Sequence, residues 1–281
     1  MCKKLYVVGT PIGNLQDISK RTINTLSNVD FIAAEDSRVT TKLLNFLKIK
    51  KPIVSYYEYN KEEKSNTICK RILEGNSCAL VSDAGMPCIS DPGEYLVQKC
   101  IDKKIPVLVV PGPCAISCAL SLAGIFGGKF SFYGFLSVNK KNRNETLEEI
   151  KSENKTVVLY EAPHKLKRTL RDLYEKLEDR NIVLVKEMTK IHENAVYTTL
   201  KEAILEYENK SLKGEYVLII KEKTRENIEK EDSLLKLENT IDLFKNYVLS
   251  GKSKTEAIKI LSKESGIRKN TLYKKIVELR L

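Results

Sequence analysis

The sequence is poor in the residues that build metal centres, disulfide frameworks and membrane spans. It has only two histidines, and its seven cysteines include no CxxC pair, so a zinc site of Cys and His ligands has little to draw on. The odd number of cysteines among apolar neighbours favours reduced core thiols. No apolar run reaches the roughly 18 residues of a membrane span, and the N-terminal apolar stretch is too short for a signal peptide. We expect a cytoplasmic protein without a metal.

Several motifs of nucleotide and hydrolase sites are missing as well. The first glycine-rich segment, GTPIGN (9–14), reads GxxxG and lacks the third glycine of the dinucleotide fingerprint. The absence of GxxxxGK[ST] argues against a nucleoside triphosphatase. The absence of GxSxG, together with the lack of a plausible Ser-His-Asp set, argues against a serine hydrolase.

Positive charge is abundant and concentrated at one end of the chain. The 281 residues include 48 Lys and Arg against 37 Asp and Glu, a formal net charge of +11. Residues 241–281 contain ten basic and four acidic side chains, so +6 of the excess lies in the last 41 residues. This asymmetry points to a polyanionic partner, most simply nucleic acid.

Short apolar runs alternate with amphipathic stretches along the first 220 residues, which is typical of α/β domains. The near-continuous apolar character of the first five runs favours a mainly parallel, doubly wound sheet covered on both faces. We predict an N-terminal α/β domain over 1–113 and a second over 114–222, joined by the proline-rich hinge 111–113. The predicted strands are 5–8, 31–34, 52–57, 78–82, 106–110, 130–136, 156–162, 182–188, 195–200 and 215–220.

The rest of the chain has a different character. Residues 223–240 are highly charged without apolar periodicity, which predicts a linker. Three amphipathic helices are predicted after it, over 241–249, 254–265 and 269–280, with Ser253 placed to cap the second. This tail, 241–281, is similar to a small helix-turn-helix unit with a basic last helix. A plain three-helix cap or a dimerisation tail fits the pattern equally well.

The loops that follow the predicted strands are rich in proline and small residues. In open α/β sheets, ligands bind beyond the carboxyl ends of the strands. Small residues there bring the backbone close to a flat ligand, and an adenosine moiety held by backbone amides fits this inventory. The loops selected in this way are GTPIGN (9–14), AEDSR (34–38), SDAGMPCISDPG (82–93), PGPCAIS (111–117), YEAPH (160–164), MTKIHEN (188–194) and LKGEY (212–216).

Seven segments in this order and spacing resemble the RsmI family of the tetrapyrrole-methylase superfamily: GTPIGNLQDIS, AEDSRVTTKLL, VSDAGMPCISDPG, VPGPCAIS, GFL, YEAPHKL and LKGEYVLI. The resemblance spans essentially the whole chain, including the tail segment KNTLYKKIVEL. It implies a class III methyltransferase fold, with two α/β domains, a cleft between them and a small C-terminal helical domain. It also implies a homodimer that uses S-adenosylmethionine to methylate the ribose 2′-oxygen of a cytidine in the decoding region of 16S rRNA, in the small ribosomal subunit.

The resemblance also implies which residues bind the cofactor. Two of them depart from the family pattern: Met86 stands where Thr or Ser is usual and offers no hydroxyl, and Met188 replaces Leu with little change in volume. The residues expected to bind S-adenosylmethionine are Thr10, Pro11, Gly13, Ser82, Asp83, Ala84, Met86, Cys114, Ala115, Ser117, Glu161, Ala162, Met188 and Gly214.

Methyl transfer to a sugar hydroxyl requires alignment and benefits from a base. The hydroxyl must lie in line with the carbon–sulfur bond of the sulfonium, and it is a poor nucleophile until it loses its proton. For Asp36 and Ser37 an alternative role is the N-cap of a helix. His192 lies in a loop within reach of the cleft, whereas His164 is expected at the surface. The catalytic candidates are Glu35, Asp36, Lys190 and Glu193, with Arg38 to hold the adjoining phosphate.

The tail supplies the candidate RNA contacts. Lys and Arg side chains there are expected to neutralise phosphates, which makes RNA binding sensitive to salt. Tyr273 is expected in the core of the last helix, with stacking on a base as the alternative. The candidate phosphate ligands are Arg268, Lys269, Lys274 and Lys275.

Two other functions fit parts of the sequence. A precorrin or diphthine-type methyltransferase of the same superfamily would share the cleft but has no need of a basic tail. A non-catalytic regulator that binds nucleic acid through the tail would not bind S-adenosylmethionine.

Overall fold

The computed structural model describes residues 3–125, 128–223 and 225–279. The internal contacts divide the chain into two compact units, Met1–Lys221 and Glu222–Leu281. The first unit contains two five-stranded sheets, and the second is helical. None of the described helices is long and apolar enough to cross a membrane. The six cysteines of the described part are free thiols.

The first sheet consists of parallel strands in the order β3-β2-β4-β1-β5. Strands β2 and β4 are buried along their whole length, because apolar helix faces cover both sides of the sheet. The mainly parallel sheet expected from the sequence is thus confirmed. Its elements are β1 (Lys4–Val8), α1 (Lys20–Asn28), β2 (Phe31–Ala34), α2 (Ser37–Phe46), β3 (Ile53–Ser55), α3 (Lys61–Leu73), β4 (Ser77–Val81), α4 (Glu94–Asp102) and β5 (Val107–Val110).

The second sheet has the order β6-β7-β10-β8-β9, and in it β6 and β7 run parallel while the other pairs are antiparallel. All ten strands predicted from the sequence are present, to within two residues at each end. The elements are α5 (Ala115–Ala123), β6 (Phe130–Phe135), α6 (Lys140–Ser152), β7 (Thr156–Glu161), α7 (Pro163–Leu177), β8 (Asn181–Lys186), β9 (Asn194–Thr199), α8 (Leu200–Tyr207) and β10 (Tyr216–Ile220).

Backbone contacts join the loops at the carboxyl edge of the first sheet. Thr10 and Gly85 form an isolated antiparallel bridge, with N–O distances of 2.8 and 3.1 Å. A Cβ added to Gly9 would lie 2.7 Å from Cα of Gly112 and 2.6 Å from Sδ of Met86, which is closer than real Cβ contacts come. The loops after β1 and β5 therefore meet at a point where neither loop has room for a side chain.

The helical unit contains α9 (Arg225–Leu249), α10 (Lys254–Ser265) and α11 (Lys269–Glu278). Helix α9 includes most of the segment 223–240 in which we expected a linker. Lys, Glu and Leu have high helix propensity whether or not apolar residues form a stripe. The lack of an apolar stripe in this segment therefore did not exclude a helix. Ser253 caps α10, as expected, by accepting a hydrogen bond from the Glu256 amide. The core of this unit is formed by Phe244, Ala257, Ile258, Leu261, Leu272 and Ile276.

Candidate active site

A cleft of about 460 Å³ lies at the carboxyl edge of the first sheet and is closed by the second. The loops after β4, β5 and β7 and the start of β10 contribute to its walls. This position agrees with the rule that ligands bind beyond the strand ends of open α/β sheets. Its lining consists of Ile12, Ala84, Gly85, Met86, Ile89, Ser90, Asp91, Cys114, Ala115, Phe135, Tyr160, Glu161, Ala162, Pro163, His164, Val185, Met188, Glu215, Tyr216 and Val217.

The residues that the sequence assigned to the cofactor fall into three groups. Half of them line the cleft: Ala84, Met86, Cys114, Ala115, Glu161, Ala162 and Met188. Four others line a second, smaller cavity beside α2: Thr10, Pro11, Ser82 and Asp83. The remaining three, Gly13, Ser117 and Gly214, line neither.

Each of the residues outside both cavities has a protein neighbour instead. A Cβ on Gly13 would meet the Lys190 side chain, and one on Gly214 would meet that of Glu187 at 2.5 Å. The Ser117 hydroxyl donates to the carbonyl of Cys114 over 3.0 Å, within the first turn of α5. These three positions therefore shape the walls of the cleft from behind.

The Glu161 carboxylate is held within the protein although the residue borders the cleft. It accepts hydrogen bonds from the Ala162 amide and the Thr169 hydroxyl. The buried Arg143 guanidinium donates to the same hydroxyl over 2.8 Å and to Asp172 over 2.7 Å. This network fixes the turn between β7 and α7, and it leaves little of the Glu161 carboxylate for a ligand.

The loop between β8 and β9 packs against the loop after β1. Asn14 donates its amide hydrogen to the Thr189 hydroxyl over 3.1 Å. The Lys190 ammonium lies between the carboxylates of Glu187 and Glu215, at 2.9 and 3.0 Å. Burial lowers the pKa of Lys190, but the hydrogen bonds to the two carboxylates outweigh it and raise the pKa overall. Lys190 is therefore protonated at neutral pH, and the geometry gives it the role of an ion-pair clamp.

Three carboxylates cluster beneath the loops of the first sheet. The pKa of Glu35 is raised, chiefly by burial and then by Asp91 and Asp83, and its Oε2 is buried without a hydrogen-bond partner. Burial also raises the pKa of Asp83 and of Asp91. Of these three, Asp91 lines the cleft, Asp83 lines the second cavity and Glu35 lines neither. Buried acidic groups with raised pKa values are common at functional sites.

Asp36 and Arg38 form a pair at the start of α2. Asp36 is the N-cap, with Oδ1 accepting from the Arg38 amide over 2.8 Å, and Arg38 Nη2 lies 2.6 Å from Asp36 Oδ2. Hydrogen bonds from the Arg38 side chain and backbone lower the pKa of Asp36 to about 2. The capping alternative considered for Asp36 is thus realised, and so low a pKa makes it a poor proton acceptor.

The remaining candidates from the sequence have local roles or lie outside the cleft. The Glu193 carboxylate accepts from the Thr189 amide and holds the β8–β9 loop. His192 is exposed in that loop and does not line the cleft. His164 is exposed in the first turn of α7, as expected, and it also lines the cleft.

Sequence reasoning missed several residues of the cleft. Asp91 lies in the SDAGMPCISDPG segment but was not singled out, although a carboxylate next to a proline in a ligand loop is a usable signal. Phe135 and Tyr160 pack at 5.6 Å with a steep interplanar angle and line one wall. Tyr216 and Val217 belong to β10. Their position depends on the pairing of β10 between β7 and β8, which the sequence does not display.

The tail residues are exposed within the helical unit. Arg268, Lys269 and Lys274 are exposed, while Lys275 is half-buried and lies 3.1 Å from Glu278. Tyr273 is 61% exposed, so the expectation of a core position is wrong. Leu272 and Ile276 occupy the core face of α11, and Tyr273 lies beside that face with its ring in solvent.

Comparison with known proteins places these features in a family. Residues 4–204 match the family model described as Tetrapyrrole (Corrin/Porphyrin) Methylases. A protein of Halalkalibacterium halodurans named Ribosomal RNA small subunit methyltransferase I is 41% identical over 269 residues, covering 96% of this chain and 93% of that protein. The protein of the same name in Thermotoga maritima is 45% identical over 217 residues, covering 77% of this chain and 97% of that protein.

Solved structures show the same fold at low sequence identity. The crystal structure of diphthine synthase has a TM-score of 0.63 at 15% identity, covering 78% of this chain and 90% of that one. The structure of cobalt precorrin-4 methyltransferase has a TM-score of 0.57 at 18% identity, covering 78% of this chain and 95% of that one.

Proposed function

The chain belongs to the tetrapyrrole methylases and, within them, to the family of ribosomal RNA small subunit methyltransferase I, and from this membership we propose its substrate. It transfers the methyl group of S-adenosylmethionine to the ribose 2′-oxygen of a cytidine in the decoding region of 16S rRNA. The observation that carries the proposal is identity of about two residues in five over nearly the whole chain. Sequence identity to the precorrin and diphthine enzymes is less than half as high.

The cleft suits the cofactor. Backbone of Gly85, Ala115 and Ala162 borders it, and apolar side chains such as Met86 and Met188 make most of its wall. The backbone packing of Gly9 against Gly112 holds together the loops after β1 and β5, which supply Ile12, Cys114 and Ala115 to the cleft. When bound, S-adenosylmethionine supplies an electrophilic methyl group on a sulfonium. The loops exclude water and hold the acceptor hydroxyl in line, which is the main part of catalysis in such a transfer.

The proton released by the ribose hydroxyl requires an acceptor, and we assign it to Asp91. Asp91 is a carboxylate that lines the cleft, and burial brings its pKa upward, towards the range where a carboxylate acts as a base. The negative charge of Asp83 adds to the upward shift of the Asp91 pKa. Of the original candidates, Lys190 and Glu193 clamp the β8–β9 loop, and Arg38 stays available for a phosphate at the exposed start of α2.

The helical tail adds affinity for RNA. Exposed Lys269 and Lys274 are the expected phosphate ligands, together with Arg268. The shorter Thermotoga maritima relative bears the same name, so transfer itself does not depend on every residue of the tail. A homodimer and a cytoplasmic location complete the proposal, and sedimentation of the purified protein tests the first of these.

Transfer of labelled methyl groups tests the function. The protein is incubated with labelled S-adenosylmethionine and with undermodified small subunits, free 16S rRNA or large subunits. We expect label in the small-subunit RNA, in a dinucleotide that resists alkaline hydrolysis because its 2′-oxygen is blocked. Absence of label from both small-subunit forms would contradict the substrate assignment. Absence of a calorimetric signal with S-adenosylmethionine would leave only the non-catalytic regulator.

A further inference from the structure

The second cavity shares two walls with the cleft but opens beside α2. Its volume is about 210 Å³. Along the loop after β1, Thr10 and Pro11 line this cavity and Ile12 lines the cleft; along the loop after β4, Ser82 and Asp83 line this cavity and Ala84 lines the cleft. The Thr10–Gly85 bridge ties the two walls together. A ligand in the second cavity therefore lies one loop thickness from the cleft.

One face of α2 is apolar without being part of the core. Thr40 and Leu44 are the buried residues of this helix. Val39, Leu43 and Phe46 form a second stripe at the spacing of one helix face, and they line the cavity. Val39 is 37% and Phe46 58% exposed. A surface helix normally carries polar side chains away from its core face. The apolar stripe of α2 departs from this rule, and it is therefore available to a ligand with apolar surfaces.

Polar groups surround the apolar stripe. Asp83 accepts a hydrogen bond from the Asp36 amide through Oδ1, over 3.0 Å, and among the described residues none donates to its Oδ2. Lys42 lines the same cavity, and Arg38, on the preceding turn of α2, has a side chain that is 85% exposed. The cavity thus combines apolar walls, a free carboxylate oxygen and cations at its rim.

We propose that this cavity binds a nucleobase of the substrate RNA, in the strand that presents its ribose to the cleft. The inference rests on the proposed function. Apolar walls suit the faces of a base, a carboxylate accepts from an exocyclic amino group, and cations suit the flanking phosphates. The base therefore carries an amino group, as cytosine and adenine do. The volume lies below the roughly 300 Å³ of pockets for larger ligands, which suits one base and not a tetrapyrrole.

Removal of the exposed aromatic wall tests the proposal. We expect Phe46→Ala to raise the KM for undermodified small subunits about tenfold, within the range that a stacked aromatic contributes to base binding. The calorimetric Kd for S-adenosylmethionine should stay unchanged. The matched control is Leu205→Ala, which removes an apolar side chain that is 67% exposed on α8 and lies in neither cavity.

A second pair of variants uses charge instead of packing. Val39→Glu places a carboxylate at the mouth of the cavity, where it repels phosphate, and it should raise the KM for the subunits by more than Phe46→Ala does. Leu205→Glu adds the same charge elsewhere and should leave the KM within twofold of the wild type. Val39 is exposed enough for the substitution to be tolerated by the fold, and circular dichroism verifies this.

The outcomes separate the two proposals. If the wild type labels small-subunit RNA while both cavity variants behave like their Leu205 controls, the base-binding assignment is wrong and the proposed function stands. If the wild type transfers no methyl group to that RNA, the proposed function itself fails. If Phe46→Ala changes the oligomeric state in sedimentation, α2 belongs to a contact between copies of the chain, and the assignment is overturned.

Discussion

Glu161 and Glu187, at the ends of strands in the second sheet, accept hydrogen bonds from neighbouring amides, a threonine hydroxyl and a lysine. Glu35, Asp83 and Asp91, in the loops after β2 and β4 of the first sheet, form no ion pair among the described residues: Asp83 accepts from the Asp36 amide, and Asp91 accepts from Ser82. The pKa of Glu187 is lowered by Lys190, whereas burial raises the pKa of all three carboxyls of the first sheet. Carboxylates with several donors or a cation hold loops in place, whereas buried carboxylates with raised pKa values are candidates for chemistry or ligand binding.

The largest expected effect comes from breaking the hydrogen-bond network around Glu161 in the second sheet. Arg143→Met removes the donor to Asp172 and Thr169 between α6 and α7, and we expect the free energy of unfolding to fall by about 3 kcal/mol, because the partly buried Asp172 loses its nearer cation and the buried Thr169 hydroxyl loses a donor. Chemical denaturation measures the loss. Arg171→Met is the matched control, because its ion pair with Glu208 is largely exposed and is worth less than about 1 kcal/mol. Equal losses of unfolding free energy in the two variants would show that the buried Arg143 network contributes no more to stability than an exposed ion pair.

The next effect concerns the carboxylates of the first sheet, and it is an effect on the rate of methyl transfer. Asp91→Asn removes the proton acceptor, and we expect the rate of methyl transfer to fall about a hundredfold, the lower end for loss of a general base. Glu215→Gln changes a carboxylate of the same cleft that is already paired with Lys190, and should change the rate less than threefold. In the wild type the rate should fall as pH decreases through the raised pKa of Asp91, because the protonated carboxyl cannot accept a proton. A normal rate in the Asn variant would remove Asp91 from the mechanism.

A smaller effect tests how the first-sheet loops are held without side-chain pairs. Gly9→Ala puts a Cβ against Gly112 and Met86, and overpacking of this kind costs about 2 kcal/mol of unfolding free energy. The shift of the loop should also weaken S-adenosylmethionine binding in calorimetry. Gly124→Ala provides the comparison, since its left-handed φ of 62° is strained but no atom lies within 4 Å of the added Cβ. Wild-type affinity in a folded Gly9→Ala protein would contradict the role of this contact.

The smallest effect has the opposite sign. Glu35→Gln removes a carboxylate that is buried beside Asp83 and Asp91, and we expect stabilisation by about 1 kcal/mol at pH 7, as for relief of an unpaired buried group. Because the folded state raises the pKa of Glu35, its ionisation costs stability as pH rises. The advantage of the Gln variant should therefore shrink as pH falls below the raised pKa and vanish below the ordinary pKa of a glutamic acid. Thermal unfolding at several pH values measures this, and a destabilised variant at pH 7 would indicate a partner for Glu35.

The sequence predicts most of the fold because the relevant signals are local. The apolar runs 31–34 and 78–82 are short and bounded by turn residues, which favours strands, and Ser253 caps α10 through its own neighbours. The helix predicted over 241–249 is the last part of α9, and the preceding part, 225–240, was missed because helix propensity in a Lys- and Glu-rich segment produces no apolar stripe. The order of the second sheet is a tertiary property, so the placement of β10 beside the cleft could not be read from its residues.

The site was predicted at the level of loops and less well at the level of side chains. All the loops chosen from strand ends are near one of the two cavities or hold their walls. Which residue faces which cavity depends on backbone turns: Gly85 has a φ of +80°, and Asp83 and Met86 on either side of it face different cavities. Glu161 was assigned to the cofactor, but its carboxylate accepts a hydrogen bond within the Arg143 network. This network joins residues of α6 and α7 that are far apart in sequence, so the sequence does not display it.

The loop after β4 borders both cavities with consecutive residues, and this has a thermodynamic consequence. A ligand that shifts the Ser82–Met86 segment on one side changes the wall available on the other. The two binding events then share a coupling free energy, which must be the same whichever ligand arrives first. If RNA increases the affinity for S-adenosylmethionine by some factor, the cofactor increases the affinity for RNA by that same factor, and the bridged loops after β1 and β4 are the elements that transmit it.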